Sequence, residues 1–137
     1  MKQKPYLTKV DVDVLLHAAN DFAEKNQFAV SIAVVDDGGH LLGFTRRDDC
    51  PAVSASIAQE KARSSALGRK ESKAYEDMIN GGRIAYLSVP VLQGMLEGGV
   101  NIVHDGHTIG AIGVSGVKSN QDAEVAKAGI AAWQASL

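Results

Sequence analysis

Two tight turns dictate much of the architecture. Asp36-Asp37-Gly38-Gly39 separates Ala29–Val35 from His40–Arg46, and Asp105-Gly106 separates Val100–His104 from His107–Ser115. Each flanking run is rich in apolar and β-branched residues, the composition of a strand. A chain that reverses in so few residues must place the two strands side by side and antiparallel. The sheet is therefore built from hairpins, not from strand–helix–strand crossovers.

Helical patterns surround these hairpins. Thr8 and Asp11 have the spacing of a capping box, and Val12, Leu15, Leu16, Ala19, Phe22 and Ala23 follow as one apolar stripe. Asp13, His17, Asn20, Asp21 and Glu24 fall on the opposite face. A second helix is predicted from about Pro51 to Leu67, with Ala55, Ala58, Ala62 and Ala66 on one side and Glu60, Arg63 and Ser64 on the other. A short third helix is expected over Glu71–Met78, stopped by Gly81-Gly82. Ile84–Gly99 reads poorly, with a possible short strand at Val91–Met95. The last helix is capped by Asn120 or Asp122 and carries Ala126, Ile130, Trp133 and Leu137 as its stripe. The whole is a single α+β domain over residues 1–137, with no internal repeat or linker.

Composition excludes several classes. A net charge of −2 and the absence of a basic run argue against nucleic-acid binding. No apolar run approaches a membrane span, so no membrane partner is expected. Cys50 is the only cysteine, which rules out an intrachain disulfide and a multi-cysteine zinc site. The opening residues hold no apolar core of signal-peptide length, so a cytoplasmic protein is expected. Gly110 to Gly116 spells G-x-x-G-x-x-G inside a strand, unlike the dinucleotide fingerprint. Its glycines instead suit close backbone approach to a ligand, a helix or a neighbouring subunit.

Few side chains remain to carry chemistry. His17 has Asp13 and Asp21 one turn away on either side, which can orient an imidazole; alternatively it is an exposed histidine in a weak ion pair. His104 and His107 flank the Asp105-Gly106 turn as direct partners. They can chelate a divalent metal or simply form a solvated hairpin tip. His40 is a solvated strand start. Arg46 and Lys61 are candidates for holding carboxylates, with surface ion pairs to Asp48 and Glu60 as the alternative. Cys50 is a reactive thiol or a small buried one. Asp36, Asp48 and Asp122 are the available general bases for acid–base work on a small organic acid.

Three ordered blocks resemble the GlcG/HbpS-like haem-binding family, which also supplies the C-terminal domain of PduO-type cobalamin adenosyltransferases. They are Val30–Arg46 with its Asp-Asp-Gly-Gly turn, Asp48 followed by Ala58–Ala62 with Lys61, and Gly110-Ala-Ile-Gly-Val-Ser-Gly116 followed by Asn120-Gln121-Asp122. Arg47 stands where an apolar residue is common in that family, and Cys50 where a small one is usual. The resemblance implies a profilin-like, five-stranded antiparallel sheet flanked by helices on both faces. It implies homo-oligomers, from dimer to octamer, and haem as a cofactor, with storage, sensing or slow degradation of haem as the role. A haem ligand on the early helix maps to His17. His17, Arg46, Lys61, Ser115 and Gly116 are then the candidate haem- or ligand-binding residues, with His17 as the iron ligand and His104 and His107 as a second metal pair. The competing expectation is an enzyme or accessory factor for a small organic acid, as in glycolate, glycerol or propanediol use, with Arg46 and Lys61 binding the carboxylate.

Overall fold

The computed structural model describes residues 1–137. Helix α1 spans Lys9–Lys25, strands β1 and β2 span Ser31–Asp36 and Leu41–Arg46, and helices α2 and α3 span Val53–Gly68 and Ser72–Asn80. A 3-10 turn over Ile84–Ser88 leads to β3 (Gly99–His104), β4 (His107–Ser115) and helix α4 (Ser119–Ala135). The strands form one antiparallel sheet in the order β2-β1-β4-β3. Both expected hairpins are present, and His104 pairs with His107 across the second turn.

The sheet has four strands, not five. Val91–Met95, the expected short strand, is irregular. Pro90 lacks an amide for a ladder. Gly94 lies flat on α2 instead: a Cβ there would sit 2.2 Å from the Glu60 carbonyl carbon. This segment therefore packs on a helix and never reaches the sheet edge.

Period-two alternation splits the core into two halves. Ile32, Val34, Ile112 and Val114 face α1 and α4, joining Leu15, Ala19, Val125, Ile130 and Trp133 in a large apolar cluster. Ala33, Val35 and Ala111 face the other way, against Ala58, Ala62 and Ala66 of α2. Helices therefore cover both faces of the sheet. The two halves differ in thickness because the α2 side is built from small residues. Gly113 sets the spacing there: a Cβ on it would lie 2.0 Å from the Ala58 carbonyl oxygen.

The capping box forms as expected, with the Asp11 amide donating to Thr8 Oγ1 and the Thr8 amide donating to Asp11 Oδ2. Asp11 also accepts from Trp133 Nε1 at 2.9 Å, tying the start of α1 to the end of α4. That bond, followed by those from Thr8, holds the Asp11 carboxyl below the usual carboxylate range. Three details differ from the sequence pattern. Ser64 is buried, because its hydroxyl turns back to the Glu60 carbonyl and removes its polarity from the interior. Leu137 is exposed beyond the last turn of α4. Helix α4 begins at Ser119, with the Lys118 amide donating to Gln121 Oε1, while Asp122 points inward. No helix is long and apolar enough to cross a membrane.

The close seat of α2 is open to test. Gly113→Ala pushes a methyl into helix backbone that has no room to yield. It is expected to lower the urea-unfolding free energy by about 1–3 kcal/mol, measured by circular dichroism, with the midpoint shifted and the slope unchanged.

Candidate functional site

Most of α1 is committed to the core, but one face is not. Val10 is 70% exposed, and Val14 and Ala18 are half-buried. They recur at helical spacing beside His17, giving α1 a second apolar stripe on its outer side. Val10, Asp13, Val14, His17, Ala18 and Asp21 line a shallow concavity of about 510 Å³. His17 is expected on a polar face; the structure sets it beside Val10 and Val14, whose spacing of four residues is the sequence signal for this second stripe.

The His17 side chain is 81% exposed, and its Nε2 lies 3.3 Å from Asp21 Oδ2. An acidic neighbour one turn away can orient an imidazole, and most of the ring remains accessible. No group of three or more His, Cys, Asp or Glu side chains is placed to hold a bare metal ion. A haem makes a smaller demand, because the porphyrin supplies four nitrogens and the protein adds an axial ligand and an apolar surface. One imidazole bordered by Val10, Val14 and Ala18 meets it.

The other predicted residues are dispersed. Lys61 lies on α2 but is buried, and its ammonium donates to the Val114 carbonyl at 3.0 Å and to Asp122 Oδ2 at 3.1 Å. Asp122 Oδ1 in turn accepts from the Val117 amide. Burial pushes the Asp122 carboxyl above its ordinary range, while Lys61 pulls it the other way. This pair welds α2, β4 and α4 together and leaves no free cation for a ligand. Arg46, by contrast, is exposed at the end of β2, opposite Ser31 in the register. The structure does not bring Arg46 and Lys61 to one site. Ser115 is buried at the end of β4, and Gly116 (φ +146°) abuts the backbone at Ala29, where a Cβ would meet the carbonyl oxygen at 2.3 Å. Neither lines the concavity around His17.

At the hairpin tip, His104 packs edge-on to Trp133 with ring centroids 5.9 Å apart, and its Nε2 is 3.7 Å from Asp105 Oδ2. His104 and His107 thus pair as expected but gather no third ligand. Cys50 is buried, with its thiol donating to the Arg47 carbonyl at 3.1 Å. Burial raises the thiol pKa, but hydrogen bonds from Ser54 and Ser31 and the nearby Arg46 outweigh it, leaving the thiol below its usual range.

Removing one member of the buried ion pair strands the other. Lys61→Met is expected to cost about 3–5 kcal/mol in chemical denaturation, and Lys61→Met with Asp122→Leu to recover most of it. With Asp122→Leu measured alone as well, a double-variant loss equal to the sum of the two single losses would show that the pair contributes nothing as a pair.

Residues 7–131 match the family model described as haem degrading protein HbpS-like. The chain is 53% identical over 115 residues to the protein GlcG of Escherichia coli K12, covering 84% of this chain and 85% of GlcG. The crystal structure of a PduOC:haem complex superposes with a TM-score of 0.83 at 28% identity, covering 93% of this chain and 95% of that one. The crystal structure of HbpS superposes with a TM-score of 0.87 at 27% identity, covering 96% and 92%. The chain belongs to the HbpS-like family.

Proposed function

We propose that this protein binds haem on the outer face of α1, with His17 as axial ligand. The observation that carries the reading is a lone exposed imidazole set beside the exposed Val10 and the half-buried Val14 and Ala18. Its likeness to a chain solved with haem, and the haem-degrading description of its family, support the same ligand.

The geometry also favours a homo-oligomer. His17 is the middle residue of α1, which runs from Lys9 to Lys25. Two α1 helices packed antiparallel about a two-fold axis through this point bring their His17 side chains together. Each ring then serves one side of a porphyrin, and the valines of both copies shield its faces. Storage, sensing or slow degradation of haem all start from such a complex. The organic-acid reading has less support, because the Arg46–Lys61 pairing it rested on is not formed and Lys61 is consumed by Asp122.

Titration with ferric hemin tests the proposal. The wild-type protein is expected to shift the Soret band saturably at one hemin per two chains, with a larger species on sedimentation. His17→Ala is expected to lose the shift while keeping its circular dichroism. A wild-type titration with no saturation, or an unchanged shift in His17→Ala, contradicts it.

A further inference from the structure

One turn along α1 from His17 stands Asn20, and its side-chain oxygen accepts a hydrogen bond from Arg47 Nη1 at 2.9 Å. Arg47 is half-buried, yet no carboxylate lies within 4.0 Å of its guanidinium; the same holds for the exposed Arg46 beside it. A guanidinium that is partly withdrawn from water normally recovers that cost from an anion. Here the recorded partner is a neutral amide. The two arginines share a basin of about 320 Å³ with Asn20, Thr45, Asp48 and Asp49. The basin adjoins the His17 face along the helix, because Asn20 is separated from His17 by about 4.5 Å of helical rise. Asp48 and Asp49 also line this basin, with neither carboxylate within 4.0 Å of a guanidinium.

Resting on the haem reading above, we propose that Arg47, held by Asn20 and assisted by Arg46, receives a haem propionate and so sets how the porphyrin is turned on α1. The apolar edge of the ring then lies over Val14 and Ala18, which flank His17 on the side away from Asn20. Arg47 thus replaces Lys61 as the partner of Arg46. An arginine fork fits a carboxylate in two parallel hydrogen bonds, and the Asn20 contact pre-orients the guanidinium.

The experiment compares ferric hemin with its dimethyl ester, in which both propionates are uncharged, on the intact chain. Wild-type protein is expected to bind hemin about tenfold or more tightly than the ester, the size of one charged hydrogen-bonded contact. Arg47→Gln is expected to bind hemin as weakly as wild type binds the ester, to lose the discrimination, and to keep the Soret position set by His17. Arg47→Lys, which retains the charge, is expected to restore part of it; its melting temperature and that of Arg47→Gln check the fold. Equal hemin affinity in Arg47→Gln and wild type, or undiminished discrimination, overturns the propionate assignment and leaves His17 standing. Hemin binding that is absent in wild type, or indifferent to His17→Ala, fails the haem reading itself.

Discussion

The fold depends on how closely α2 lies against the sheet. Gly113 presents bare backbone to Ala58 and Ala62, its cross-strand partner Gly99 does the same to Lys61, and Gly94 to Glu60 and Lys61. That proximity lets Lys61 cross the layer and reach both the Val114 carbonyl and Asp122. A Cβ at Gly98 would stand 2.7 Å from the Lys61 ammonium, so the route is narrow. The ion pair then fixes α4 by its first turn. The desolvation cost of burying both charges is repaid only while the geometry holds, which makes this side of the molecule rigid and closed.

Closure on one side directs function to the other. The inner stripe of α1 meets α4 closely, with Gly129 set against Ala19 and the Leu15 carbonyl, and Asp11 bonded to Trp133. These contacts hold α1 firmly without using its outer surface. Val10, Val14, Ala18 and His17 are thus presented on a rigid helix, with the Asn20–Arg47 contact beside them. Asp13 and Asp21 border the same surface, and the nearest cations are Arg46 and Arg47 in the adjoining basin. A buried pocket is unnecessary if a second copy supplies the opposite wall.

Local features of this design were readable in the sequence. Hairpin turns, the Thr8–Asp11 cap and the alanine row of α2 depend on residues a few positions apart, and each forms, the row through Ala58, Ala62 and Ala66 without Ala55. The glycine-rich strand suits close approach to a ligand, a helix or a subunit, and Gly113 makes such an approach to α2, while Gly110 meets the Val35 carbonyl and Gly116 the Ala29 backbone. Long-range features were not readable. Lys61 and Asp122 are 61 positions apart, and each had a plausible local role, as a surface cation and a helix cap. Val91–Met95 has strand-like composition, but tertiary contact of Gly94 with α2 overrides it. His17 was located by its type and its acidic neighbours, whereas the apolar stripe beside it was hidden by the stronger inner stripe. Arg47 had no local signal, since its partner Asn20 lies on an earlier element.

The central claim is that the outer face of α1 is where ligand binds. Paramagnetic broadening of backbone amide resonances by ferric hemin addresses it directly, because the effect falls off steeply with distance from the iron. The account predicts that the amides of Val14, His17, Ala18 and Asp21 broaden first and that those around Lys61, Asp122 and Gly113 stay sharp. Broadening centred on the His104–His107 hairpin, or spread evenly over the chain, contradicts it.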